Sequence, residues 1–238
     1  MADQLAAATL LEAAKNIARE KKYDWLIGPM EGSTWNNYRF SLNNEHPIFF
    51  LEPYHHSYYN QQFQNAGFKV IAEYVSNLAD PNVNDTEMRF QEQHFLDQNV
   101  IIRNLNSNKF EEEIRKIGAF SIKEFSSNFL YTAINEDDFW KKYAPIKQFM
   151  NPELIYLTED EKGELLAFSF SLEDAYNKKD KTLIIKSIAR KKASQIKGLA
   201  AFLGGKTLQK ARRMNYKKVI HAYIKAENSS LLASKKYG

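Results

Sequence analysis

Residues 188–200 have the sequence IARKKASQIKGLA, and they decide which fold the chain is predicted to adopt. An apolar strand is predicted to end near Arg190, a basic loop follows, and a helix is predicted to begin at Leu199, directly after Gly198. The first amides of a helix have no partner within the helix, and the helix dipole is positive there. Glycine also lets a ligand approach the backbone closely. The segment therefore predicts a binding site for a phosphate or pyrophosphate group.

Hydrophobic patterns on both sides of this segment predict a mixed α/β fold. The predicted helices are residues 110–125, 136–150 and 199–214. The predicted strands are residues 100–105, 154–158, 165–172, 183–189 and 219–224, the second and third forming a hairpin. Before them, helices are predicted at residues 5–21 and 58–66 and strands at residues 24–27 and 68–78, and the polar segment from residue 79 predicts a linker.

Composition and charge narrow the class of protein. The 238 residues include no Cys, which excludes disulfides and thiolate metal sites. No run of about 18 apolar residues and no signal peptide are present, so we expect a cytoplasmic protein without a membrane partner. Residues 178–238 hold 17 Lys and Arg against 2 acids. This excess predicts an anionic partner, which could be the phosphates of a nucleotide cofactor or a nucleic acid.

The helix-start segment resembles a known family signature. Gln195 to Ala200 match the [RQ]-x-x-G-x-[GA] pattern of GNAT acetyltransferases, and Ile188 to Arg190 stand where that family has its strand end. The ending KKYG at residues 235–238 resembles the family's terminal motif in degenerate form. The resemblance implies a mixed, mostly antiparallel twisted sheet flanked by helices. It also implies an N-acyltransferase that uses acetyl-CoA or another acyl-CoA as co-substrate.

The resemblance assigns roles to individual residues. The backbone amides of the signature would bind the pyrophosphate, the strand end would pair with the pantetheine arm, and an Asn after the next strand would contact the cofactor. The residues in these positions are Ile188, Arg190, Gln195, Ile196, Lys197, Gly198, Leu199, Ala200 and Asn228.

The same resemblance divides the chain into three parts. Residues 1–78 are similar to the back half of a first GNAT unit, residues 79–97 form a linker, and residues 98–238 form an acyl-CoA-binding unit without the family's last strands. Either unit alone would leave an open sheet edge. We therefore predict that residues 68–78 share one sheet or interface with the C-terminal strands, within the chain or across a homodimer.

Three residues are candidates for proton transfer in amine acylation, which needs a base for the amine and an acid or water for the thiolate. Glu173 and His221 are candidate bases. The family's Tyr would fall near Ser234 or Lys235, so Tyr237 or water is the candidate acid. The adjacent His55 and His56 have no third ligand close in sequence, and no metal site is predicted.

Three functions remain compatible with the sequence. The first is acyl transfer to a primary amine on a small molecule, a peptide or an aminoacyl group. The second is a non-enzymatic nucleic-acid-binding module that uses the basic C-terminal quarter. The third is a GNAT unit that has lost catalysis.

Overall fold

The computed structural model describes residues 3–42 and 46–226, which fold into two compact units. The first unit is Met1–Ala72 with Phe129–Thr132, and the second is Glu73–Asn128 with Ala133–Gly238. None of the helices in these described ranges is both long enough and apolar enough to span a bilayer.

The first unit contains two helices, α1 (Gln4–Glu20) and α2 (Tyr58–Asn65), as predicted. The Asp3 carboxylate caps α1 by accepting a hydrogen bond from the Ala6 amide at 3.0 Å. The strand predicted at residues 24–27 is absent, and that segment is irregular. Trp25 in this segment is 77% exposed, so its apolar residues do not line one buried strand face.

The second unit is a six-stranded sheet covered by four helices. The helices are α3 (Asp85–Leu96), α4 (Phe110–Glu124), α5 (Glu136–Tyr143) and α6 (Leu199–Arg213). The strands are β1 (Tyr74–Ala79), β2 (Ile101–Asn104), β3 (Tyr156–Glu159), β4 (Leu165–Glu173), β5 (Thr182–Arg190) and β6 (Lys218–Lys225). The spatial order is β1-β6-β5-β4-β3-β2, and only β5 and β6 pair in parallel. The predicted mixed, mostly antiparallel sheet is therefore confirmed.

Strand β1 closes the edge of the sheet that β6 would otherwise leave open. It pairs antiparallel with β6, from Tyr74 opposite Lys225 to Ala79 opposite Val219. The prediction that residues 68–78 join the C-terminal strands in one sheet is confirmed for the part of that segment that is extended. The ladder begins only at Tyr74, because residues 68–73 have no strand partner among the described residues.

Helix α3 lies where the sequence predicted a linker. The Asn84 side chain caps it by accepting hydrogen bonds from the amides of Thr86 and Glu87 at 3.0 and 3.2 Å. Its buried residues Met88 and Phe95 share a core with α6, so the helix is part of the domain. The prediction missed it because its only two buried apolar residues, Met88 and Phe95, are seven positions apart among mostly polar ones.

Five basic residues of the C-terminal quarter form ion pairs with acids from elsewhere in the second unit. Lys206 pairs with Glu92 at 2.9 Å, and Arg212 pairs with Asp85 at 2.6 Å, both across α3 and α6. Further pairs of the same kind are Lys191 with Glu164, Lys210 with Glu153 and Lys218 with Asp80. The uneven charge along the sequence is therefore partly neutralised by the fold.

Two helix glycines offer a matched test of packing. A Cβ on Gly118 of α4 would lie 2.7 Å from a ring carbon of Phe139, whereas a Cβ on Gly204 of α6 would lie 3.3 Å from the end of the Ile188 side chain. The Phe139 ring is buried and stacked on Tyr143, so it has little room to move.

We expect Gly118→Ala to destabilise the protein by roughly 1–3 kcal/mol, since overpacking outweighs the gain in helix propensity. Gly204→Ala is expected to be neutral or stabilising by up to about 1 kcal/mol, because the Ile188 tip can shift. Urea unfolding of both variants measures the difference, and equal effects would contradict the packing described for α4 and α5.

Candidate functional site

The two parallel strands separate part way along their length. Strands β5 and β6 pair from Thr182 opposite Lys218 to Ile185 opposite His221. Beyond these residues β5 continues beside β4 alone and β6 beside β1 alone. The strands therefore form a fork, which we define as the gap that opens between β5 and β6 after Ile185 and His221.

A bulge in β5 lies at the base of the fork. Ser187 is opposite Phe170 and Ile185 is opposite Ser171, so Lys186 has no partner in β4. An extra residue of this kind bends the strand, and bulges are common next to active sites. From Lys186 onward, the edge of β5 that faces the fork has no paired strand among the described residues.

The predicted phosphate loop leads from the end of β5 into α6, beside the open side of the fork. Gly198 has a φ of +87° and precedes the helix without a side-chain cap. Among the described residues, none accepts a hydrogen bond from the amides of Leu199, Ala200 or Ala201. These free donors fit a pyrophosphate oxygen. The Ile196 amide, also assigned to the pyrophosphate, instead donates to the Ser194 hydroxyl at 3.2 Å.

The charge at this loop is lower than its three lysines suggest. Lys191 forms an ion pair with Glu164 at 2.6 Å, and the amide of Lys192 donates to the buried Glu124 carboxylate at 2.8 Å. Lys197 is exposed, and none of the described residues is an ion-pair partner for it. The free amides, Lys197 and the Lys192 ammonium, which donates to the Ser127 hydroxyl, therefore remain as the groups at this loop that could attract an anion.

Glu173, a predicted base, lies at the opposite end of β5 from the loop. It stands across from Leu183, and its carboxylate accepts a hydrogen bond from the Tyr216 hydroxyl at 2.5 Å. Burial and this carboxylate raise the pKa of Tyr216. The pair ties the end of β4 to the segment before β6, and it is not close in register to the loop residues.

His221, the other predicted base, lies at the base of the fork. It is 7% exposed, and its Nε2 has no hydrogen-bond partner among the described residues. Burial lowers the pKa of His221 to about 4, so the ring is neutral near pH 7. A neutral imidazole with a free nitrogen can accept a hydrogen bond from an amine, but the low pKa makes it a weak proton acceptor near pH 7.

The buried His221 also makes stability depend on pH. An unfolded His protonates near pH 6.5, whereas the folded one resists protonation down to about pH 4. The unfolded state therefore binds more protons in this window, and stability falls as the pH is lowered. We expect this residue to lower the free energy of unfolding by about 2 kcal/mol as the pH falls from 7 to 5. His221→Leu should remove this part of the pH dependence of the unfolding free energy, as measured by urea unfolding. His94→Leu, at an exposed position, should leave that pH dependence unchanged.

Two predicted residues, Asn228 and Tyr237, lie outside the described residues. Within the described ranges, no group of three side chains from His, Cys, Asp and Glu could hold a metal ion.

The sequence reasoning missed a polar pair at the base of the fork. The Lys186 ammonium donates to the Tyr143 hydroxyl at 2.9 Å, and it lies 5.2 Å from the centre of the Tyr143 ring. One signal was present in the sequence, because Lys186 is a charged residue in the middle of an apolar strand. The partner on α5 could be found only from the three-dimensional structure.

No protein-family profile and no curated protein matches the sequence. Among solved structures, a fungal GCN5-related glucosamine N-acetyltransferase region of a multi-domain GH3 β-N-acetylglucosaminidase aligns with 76% of this chain, at TM-score 0.53 and 10% identity. A GCN5-related N-acetyltransferase from Sphaerobacter thermophilus aligns with 75%, at TM-score 0.45 and 12% identity. L-PGS from Bacillus licheniformis aligns with 74%, at TM-score 0.43 and 13% identity.

The alignments span 21%, 59% and 56% of those three chains, respectively. The last two similarities are too low to carry an argument. The similarity to the fungal N-acetyltransferase region is one of fold alone. Together with the strand order and the fork, it shows that this chain has a GNAT-like fold.

Proposed function

We propose that this chain, with its GNAT-like fold, is an acyl-CoA-dependent N-acyltransferase that acts on a primary amine. One arrangement carries the proposal: a fork between parallel strands opens beside a helix whose first amides are free and whose preceding residue is a glycine with positive φ. A fork offers backbone hydrogen-bonding groups to an extended ligand, and a helix start offers amides to phosphates.

The residues of the chain supply position and hydrogen bonds. The amides of Leu199 and Ala200 hold the pyrophosphate, and Gly198 leaves the approach to them open. The backbone of Ile188 and Arg190 pairs with the pantetheine arm as an added strand would. The acyl-CoA supplies the acyl group as a thioester, and catalysis consists mainly of holding an amine against it.

Acylation needs a base for the amine and an acid or water for the thiolate. His221, at the base of the fork, is the first candidate base, because its free ring nitrogen can accept a hydrogen bond from the attacking amine. Glu173 is the second candidate, but its carboxylate already accepts a hydrogen bond from Tyr216. Tyr237 or water returns a proton to the thiolate.

Calorimetry with acetyl-CoA and with a short single-stranded RNA, each at two salt concentrations, tests the proposal. Saturable acetyl-CoA binding with weak salt dependence is the expected result. Nucleic-acid binding through lysines would instead be steeply salt-dependent. RNA binding without acetyl-CoA binding would reject the enzyme in favour of the binding module. The internal ion pairs of Lys206 and Arg212 argue against that outcome, because they occupy basic groups that would contact phosphates.

A further inference from the structure

Lys186 is unusual among the basic residues of the C-terminal quarter. It is half-buried and lies in the bulge at the base of the fork. Lys206 and Lys218 have a carboxylate partner, whereas none of the described residues forms an ion pair with Lys186. Its hydrogen-bond partner is the Tyr143 hydroxyl, at 2.9 Å. A partly desolvated ammonium without a counter-ion is costly, which favours a site that receives an anion.

Tyr143 holds this ammonium in place and has a donor of its own to offer. Its ring is buried, stacked on Phe139 at 4.3 Å and edge-on to Phe170 at 5.6 Å. Because the hydroxyl oxygen accepts from Lys186, its proton points to another acceptor, and no described residue accepts it. Buried Tyr hydroxyls usually find such a partner. The ammonium and the phenol therefore present unused donors from one place.

We propose that Lys186 and Tyr143 bind a carboxylate of the amine acceptor, so that the substrate class is amines that also carry a carboxylate, as amino acids do. This inference rests on the proposed function. The Lys186 ammonium supplies one formal positive charge, and the ammonium and the Tyr143 hydroxyl each supply a donor. A carboxylate, with one negative charge and two acceptor oxygens, matches this pair. The pair lies at the base of the fork, where the proposed reaction would take place. Diamines and polyamines are disfavoured, because their second ammonium would meet Lys186.

The test uses two product analogues of equal length that differ in charge. N-acetyl-4-aminobutyrate carries the carboxylate, and N-butylacetamide lacks it. We expect NMR titration of the full chain to show binding of the first at least tenfold tighter than the second. Lys186→Met should abolish this preference, and Tyr143→Phe should reduce it. Lys181→Met is the matched control, because Lys181 also lies over a tyrosine ring, that of Tyr216 at 4.7 Å, but away from the fork.

Turnover gives a second readout. With acetyl-CoA, kcat/KM for 4-aminobutyrate should exceed that for butylamine at least tenfold, and Lys186→Met should remove the difference without weakening acetyl-CoA binding. Glycine and β-alanine, tested in the same way, report the preferred spacing between amine and carboxylate.

The outcomes separate the two proposals. Carboxylate-dependent analogue binding that needs Lys186, in a protein that does not bind acetyl-CoA, would support the anion site and reject the acyltransferase. Acetyl-CoA binding, together with equal turnover of both amines, would support the acyltransferase and reject the carboxylate site. A carboxylate preference that persists in Lys186→Met would overturn the assignment to this pair.

Discussion

Gly198→Val is expected to weaken acetyl-CoA binding by on the order of a hundredfold or more. An effect of this size corresponds to the loss of about two charge-assisted hydrogen bonds. Gly198 adopts a φ of +87°, which a β-branched residue strongly disfavours. The variant will therefore move the backbone that aims the free amides of Leu199 and Ala200. A Cβ would meet only the Phe95 ring tip, at 3.7 Å, so packing itself tolerates it. Calorimetry with acetyl-CoA measures the loss.

Backbone strain alone could lower binding by destabilising the whole unit, so a control with the same strain is needed. Gly163, in the turn between β3 and β4, has a φ of +78° and open space around its Cβ position. Gly163→Val should cost similar stability in urea unfolding and leave acetyl-CoA affinity unchanged. If both variants bind acetyl-CoA equally well, the loop does not hold the pyrophosphate and the central argument for the enzyme is lost.

Most of the second unit could be predicted because local patterns and tertiary structure agree there. Strand β4 is a mostly apolar run between two turns, and α6 follows a glycine and shows helical spacing. The predicted helix of residues 136–150 was too long. Helix α5 ends at Tyr143, and Ala144–Phe149 forms a 3-10 helix with Pro145 in its first turn. Proline lacks an amide donor, so the α-helical hydrogen-bond ladder stops there, although Ala144 before it keeps helical backbone angles.

Of the residues around the fork, the sequence singled out the loop before α6 and His221, but not the partners that the fold brings together there. The loop before α6 is one segment with a recognisable spacing, and the structure places it beside the fork. The pairing of Lys186 with Tyr143 joins residues 43 positions apart, which no local pattern reveals. The sequence also does not show which acids meet this basic quarter, because the partners of Lys206 and Arg212 belong to α3.

The largest effect on folding is expected from removal of β1. A chain of residues 86–238 keeps five strands and α3 from Thr86 onward, but it loses the Asn84 cap and the Asp85 pair with Arg212, and it leaves β6 as an unprotected edge. Five residues of β1 pair with β6 in the native ladder. At about 1 kcal/mol for each hydrogen bond, their loss is comparable to the 5–15 kcal/mol by which a typical domain is stable.

We therefore expect residues 86–238 to aggregate or to unfold without cooperativity, whereas residues 73–238 should give a soluble protein with a cooperative urea transition. The two fragments differ in β1 and the short segment that follows it. An open edge with apolar residues such as Ile220 and Ile224 invites pairing with other chains, so sedimentation should detect oligomers of the shorter fragment. A monomeric 86–238 fragment with a native-like transition would show that β1 is dispensable, and the fork would then have to be stable without the strand that pairs with β6.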